Sequence, residues 1–459
     1  MDVTDMEALG EGLVEFLRAF SPAFKQERTR AMLRAYTAGL LSDVKRKSIE
    51  PIALEAGCDE RAMQLFLSSY KWDHARVRVM VQHRIASRDD AVRIGVVDSS
   101  GHLKQGDKTP GVQHQYCGEV GKQANCVVGQ HLLYTNNDGG NPFSCMLASD
   151  LFLPDKRWSQ DRERCREAGI PDEVVYRPKY KIAIEQIEQA VGNGIRFDWL
   201  IGDGEFGSQH GFWAELDRLG QRGVFDASPR MCLWPTPPSC RSERAEHTSK
   251  RVDHVVTYSP AFTEQPWVTY KVKMTTTGPK VWEVKAAQVQ LVAQADPTGH
   301  GKSIPTDRRY WLIAARNPAG TSRKENKNKD KNKNQDGNGK KNKPQAGNPD
   351  EHNDDREIKY MISNASASTP VEEILRAMSA RWHVEKWFER AKQEAGLGAF
   401  EVRTYQSLIR HWLICGLVML FLAEQTERVK KRTRGSRWSR SPQPPTPSPG
   451  DCGTASPTT

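Results

Sequence analysis

Two short apolar runs, VRIGVVD at 92–98 and FDWLIGD at 197–203, each close on an aspartate. A run of that length without alternation is the pattern of a strand covered on both faces. Such strands occur in parallel sheets flanked by helices. The segments around them agree. ANCVVGQHLLY (124–134) and FSCMLASDLFL (143–153) read as further strands, 179–191 as an amphipathic helix, 209–219 as a helix and GVFDA (223–227) as a last strand. The order β-β-β-α-β-α-β predicts an α/β fold, a mixed sheet with helices on its faces.

On either side the periodicity changes. Residues 5–88 read as helical. Within them 49–56, the turn Gly57-Cys58-Asp59 and 60–69 have the form of a helix-turn-helix. Residues 61–88 carry Arg61, Lys71, Arg76, Arg78, Arg84 and Arg88 against the single acid Asp73. That is either a DNA-facing surface or the solvated face of an ordinary helical hairpin. After 228, alternation in WVTYKVKM (267–274) and VWEVKAAQVQLV (281–292) predicts antiparallel strands, with IKYMISNA (358–365) as another. From 371 to 425 the pattern is helical again.

Two stretches have no capacity for a core. Residues 321–357 contain no Val, Ile, Leu, Met or aromatic residue, and 427–459 run from basic residues into a Pro/Ser/Thr tail. Neither buries enough apolar surface to offset the entropy of ordering, so both are expected to be disordered. They also hold most of the charge. Of the formal net +10, residues 321–357 contribute +2 and 427–459 contribute +5. The remaining 389 residues carry only +3, so the basic balance is weak support for a nucleic-acid partner. The expected division is 1–88 helical and DNA-binding, 90–227 the first part of the core, 228–365 a β insertion, 366–426 the closing helices, and 427–459 a tail.

Other classes fall away. The start MDVTDMEALGEG is acidic and is no signal peptide. The apolar run 412–423 is too short to span a bilayer and reads as a buried helix, so no membrane partner is expected. Nine scattered Cys without a C-x-x-C pattern argue against a disulfide framework or structural zinc and fit a reducing cytoplasm.

Asp98 and Asp203 stand where an apolar strand runs out, the place where open α/β sheets bind ligands. Either alone is as readily a turn-capping aspartate. A third acid changes the balance. On a helix through RWHVEKWFERAKQEAGL (381–397), Val384, Trp387, Phe388 and Ala391 form one apolar stripe. Arg381, Glu385 and Lys392 line up beside it, within about 40° of one another at helical spacing. Three carboxylates, two at strand ends and one on a helix, suit a pair of Mg²⁺ ions, for which Mn²⁺ can substitute. Arg381 and Lys392 would then grip phosphate.

The segments VVDSSGHLKQGDKTPGVQHQYCGEVGKQANCVVGQ (96–130), WLIGDGEFG (199–207) and RWHVEKWFERAKQEAGLGAFEVRTYQSLIRHWL (381–413) resemble the IS4-type insertion-sequence transposases of the DDE class, and among them the group typified by IS701. Arg381, Glu385 and Lys392 match the Arg–Glu–Lys spacing of that superfamily's third motif. Met378 stands where its tyrosine is usual. The resemblance implies an RNase H-like core, Asp98, Asp203 and Glu385 as the metal-binding catalytic triad, and a β insertion between the second and third acids. The 182-residue interval from Asp203 to Glu385 has room for one. Lys104 and Lys122, in Gly-rich loops after the first acid, are either backbone-phosphate contacts or plain solubilising charges, and Trp267, Trp282 and Trp311 are either sheet core or candidates for the base-stacking tryptophan that such an insertion carries in related enzymes. The implied function is metal-dependent cleavage at element ends and transfer of the 3′-OH into target DNA. The implied partners are double-stranded DNA, as terminal inverted repeats and target, and a second copy in a synaptic homodimer, in the cytoplasm at the nucleoid.

Two other readings compete. An inactive or domesticated relative would bind DNA without cutting it. GDGEFG (202–207) also fits the dinucleotide-binding pattern, with Asp226 23 residues beyond Asp203 at the end of the next strand. Asp203 would then set negative charge against a pyrophosphate, which weighs against it.

Overall fold

The computed structural model describes residues 3–137, 142–235, 249–275, 278–293, 304–318 and 357–438. The expectations for 321–356 and 439–459 lie outside the described residues.

Five helices come first: α1 (Val3–Arg18), α2 (Glu27–Leu41), α3 (Ile49–Glu55), α4 (Glu60–Ser68) and α5 (His74–Ala86). Asp59 and Asp73 cap α4 and α5, accepting from the backbone N–H of Ala62 and Arg76 at 2.7 and 2.9 Å. Gly57 makes the turn between α3 and α4 at φ +59°, a conformation that other residues resist.

The sheet begins with β1 (Ile94–Leu103), β2 (Gln113–Cys117), β3 (Lys122–Thr135) and β4 (Ser144–Leu151). After α6 (Arg162–Glu167) and α7 (Lys179–Gly192) come β5 (Trp199–Gly202), α8 (Gly204–Gly207), α9 (His210–Arg218) and β6 (Gly223–Ala227). β3 lies antiparallel to β1 on one side and to β2 and β4 on the other, while β5 and β6 run parallel to β1. The order β4-β3-β1-β5-β6 is the mixed sheet of an RNase H-like fold. Its strands are buried almost throughout, as the unbroken apolar runs require.

The alternating segments after β6 extend this same sheet. They form β7 (Cys232–Pro235), β8 (Lys250–Arg251), β9 (Val268–Thr275), β10 (Gly278–Ala293), β11 (Ile304–Arg316) and β12 (Ile358–Ser363), with α10 (Val252–Tyr258) and α11 (Pro260–Thr263) before β9. β12 pairs antiparallel with β6, and β11 and β10 follow, giving twelve hydrogen-bonded strands among the described residues.

Three helices close the chain: α12 (Val371–Ser379), α13 (Arg381–Gln393) and α14 (Tyr405–Trp438). The stretch 405–432 is long and apolar enough to cross a bilayer, yet 78% of its apolar window is buried inside the protein. It is the central core helix, with β4 on one side and α2, α4 and α5 on another. The tail expectation needs correcting at its start. Residues 427–438 continue α14, because Arg84 forks onto Glu424 at 2.6 and 2.8 Å and Arg88 onto Glu427 at 3.1 and 2.9 Å. The same pairs correct the basic surface read in 61–88. Arg84 and Arg88 bind α14, and Arg78 reaches Asp150 at 3.4 Å, so these three are spent inside the molecule. Arg61, Lys71 and Arg76 remain exposed.

Candidate active site

Register assembles the acids. Val97 of β1 is level with Gly202 of β5, and Gly202 is level with Phe225 of β6. The next residues along these parallel strands are Asp98, Asp203 and Asp226. They emerge as a row on one face, with about 4.8 Å between neighbouring strands. Each is half-buried. β1 does not end at Asp98 as the sequence suggested. It continues to Leu103 beside β3, and only its parallel neighbour β5 stops.

Each carboxylate is held locally. Asp98 Oδ1 accepts from the Ser99 N–H at 2.8 Å. Asp203 caps α8, its Oδ1 accepting from the Glu205 N–H at 2.9 Å. Glu205 in turn accepts from the Ser99 hydroxyl at 3.1 Å and pairs with Lys179 at 2.7 Å. Two glycines of GDGEFG serve packing: a Cβ on Gly202 would meet the Val97 carbonyl oxygen at 2.8 Å. A Cβ on Gly207 would meet the Asp226 carbonyl oxygen at 2.1 Å, so glycine lets α8 lie directly on β6. These close approaches account for Gly202 and Gly207 without a nucleotide.

α13 crosses above the row. Val384, Trp387, Phe388 and Ala391 are its buried face, with the Phe388 ring 5.2 Å from His131 on β3. Arg381 and Glu385 pair at 3.0 Å, and Arg381 Nε lies 3.7 Å from Asp226 Oδ2. Lys392 donates to the Gly101 carbonyl at 3.2 Å and lies 3.6 Å from Glu119. Met378 is buried in α12, consistent with an apolar residue there.

All three carboxyls of the row are raised, and burial is the largest cause for each. Burial, then the charge of Asp203, push the Asp98 carboxyl up to about 7, against a partial offset from Arg381. Asp203 is raised by burial and then by Glu205. Asp226 is raised by burial although Arg381 and Lys359 pull it down. Among the described residues, no three acidic, His or Cys side chains already form an ion cage. The donors fit a divalent ion nonetheless. They are all oxygens, as hard cations prefer, and a cation there would favour the ionised form of Asp98, which burial and then the Asp203 charge oppose.

Family models match along nearly the whole described chain. One described as DDE superfamily endonuclease covers residues 19–294, and one described as transposase DDE domain covers 298–422. The chain belongs to the DDE superfamily of endonucleases. The first match carries Asp98, Asp203 and Asp226, and the second carries Arg381, Glu385 and Lys392. A curated relative, "Probable transposase for insertion sequence element IS701" of Microchaete diplosiphon, is 29% identical over 208 residues. That is 45% of this chain and 50% of the relative, so the chain matches about half of that protein's length.

Other expected site residues fall elsewhere in this DDE-family fold. The Lys104 ammonium donates to the carbonyls of Gly398 and Phe400 at 2.9 and 2.7 Å and sits 3.6 Å over the Phe400 ring. It is a structural tie, a correction to its reading as a phosphate contact. Its burial lowers its pKa to about 8. Lys122 is exposed at the start of β3. Trp282 is buried at 9% exposure, which leaves no open face for a base. Trp311 donates to the Ser366 carbonyl at 3.1 Å, and Arg316 stacks on Trp267 at 3.8 Å. The sequence marks Asp226 only through the dinucleotide pattern and does not mark Glu205 as an acid of this site. For Asp226 the signal existed, since GVFDA also ends an apolar strand on an acid.

Proposed function

We propose that this chain is a DNA transposase that cleaves at insertion-sequence ends and transfers the freed 3′-OH to target DNA. The observation that carries the reading is the Asp98–Asp203 pair on adjacent parallel strands, with Glu385 and Arg381 delivered across it by α13. Asp98, Asp203 and Glu385 would hold two divalent ions. When bound, these ions supply Lewis-acid stabilisation to the attacking and leaving oxygens of an in-line displacement. Arg381 binds and orients the scissile phosphate with a planar fork. Lys392 adds a point charge on the same helix edge. The Phe388–His131 contact holds α13 against β3, the antiparallel neighbour of β1. The proposed substrates are terminal inverted repeats and target duplex, joined by a pair of protomers in the bacterial nucleoid.

The test is cleavage of a labelled duplex carrying the element's terminal repeat, with Mg²⁺ or EDTA. Nicking at the repeat boundary should need the metal and vanish in Glu385→Gln. Arg381→Ala should lose far more cleavage than DNA binding. Repeat-specific binding with no cutting by the parent, in Mg²⁺ or Mn²⁺, would instead identify a DNA-binding relative that has lost the chemistry.

A further inference from the structure

Arg381 stands between two acids of unequal character. Its Nη2 is 3.0 Å from Glu385, which is 53% exposed. Its Nε is 3.7 Å from Asp226, which is 28% exposed. The same guanidinium offsets the raised carboxyls of Asp98, Asp203 and Asp226, so it serves as a shared internal cation for the row. A divalent ion that takes Glu385 must compete with Arg381 for it. Asp226 offers the displaced guanidinium a second carboxylate. Their present contact is an ion pair longer than a hydrogen bond, and arginine and carboxylate can pair more closely, as a bidentate fork. Asp226 is two strand spacings, about 9–10 Å, from Asp98 and one from Asp203, so it is out of reach of an ion held by Asp98 and Glu385 alone.

We propose that Asp226 is a positioning residue for Arg381: it receives the guanidinium when Glu385 turns to a divalent cation. The arginine is then an exchangeable counter-ion that leaves Glu385 yet stays at the site, where it can meet phosphate. This rests on the reading of Asp98, Asp203 and Glu385 as metal-binding acids.

The test is Mn²⁺ titration of the DNA-free full-length chain, with free Mn²⁺ read by electron paramagnetic resonance. Arg381→Gln should tighten binding and Asp226→Asn should weaken it, each by roughly threefold to tenfold, the range of coupled neighbouring charges. In the Arg381→Gln background, Asp226→Asn should change affinity by less than about twofold, because its effect runs through the arginine. An equal loss in both backgrounds would overturn the proposal and make Asp226 a direct ligand or a simple charge. Asp226→Ser serves as the second variant if Asn disturbs the end of β6. Glu385→Gln separates the two ideas: parent-like Mn²⁺ affinity there removes the metal reading itself, and this inference with it.

Discussion

A buried histidine costs stability only when the solution offers it a proton. His411 is fully buried in α14, with Nε2 3.1 Å from the Gly396 carbonyl and Nδ1 2.8 Å from the Tyr36 hydroxyl. A carbonyl can only accept, so Nε2 carries the proton and Nδ1 accepts from Tyr36. Burial depresses the His411 pKa to about 4, outweighing the opposing pull of the Gly396 bond. His102 and His131 are lowered by burial as well, His131 to about 3. The unfolded chain takes up these protons below about pH 6.5 while the folded chain does not. Stability is therefore complete above that pH and falls as pH drops toward the folded values. For His411 alone the loss should reach about 2 kcal/mol by pH 5. Urea midpoints measured from pH 7 to pH 5 should decline for the parent, with a flatter slope in His411→Gln. Parallel slopes would refute the assignment.

Among elements, the contact between α8 and β6 is the tightest constraint near the acids. The atom that a Cβ on Gly207 would strike belongs to the Asp226 backbone, which cannot rotate away as a side chain would. Gly207→Ala must therefore move the end of β6 or lift α8, and α8 begins at Asp203. We expect a loss of about 2 kcal/mol or more from this overpacking, seen as a lower melting temperature. Cleavage should fall further than the loss of folded protein explains, since two of the three acids in the row shift. An unchanged melting temperature would show that the helix accommodates the methyl group.

Across the whole molecule, the N-terminal helices share one core with the catalytic sheet. Phe16 meets Phe421 at 5.5 Å, and Arg410, 1% exposed, donates to the carbonyls of Phe66, Leu67 and Trp72. Arg84 and Arg88 hold the far end of α14. Removing 1–88 would uncover the apolar side of α14 and strip Arg410 of the carbonyls of Phe66, Leu67 and Trp72, so the main loss is apolar burial, at about 25 cal/mol per Å² exposed. A fragment spanning 90–438 should therefore lack a cooperative thermal transition and bind a hydrophobic dye. A fragment that melts cooperatively would mean that the helices are a separable DNA-binding unit.

Much of this architecture was legible in the residues themselves. The buried strands, the alternation after residue 228 and the alignment of Arg381, Glu385 and Lys392 beside an apolar stripe all follow from local periodicity. Side-chain direction repeats every two residues in a strand and about every 3.6 in a helix, so a short segment declares its own faces. Which segments lie side by side, and in what register, is set by hydrogen bonds and packing between residues a hundred or more positions apart. Only the fold could level Val97 with Gly202 and Phe225 and so add Asp226 to the row. Only the fold could show Lys104 tied to carbonyls, and Arg84 and Arg88 spent on α14, because a lysine or arginine in a sequence does not name its acceptor. The continuity of the sheet from β6 through β12 was likewise hidden, since an antiparallel segment pairs with whichever edge the tertiary structure leaves open.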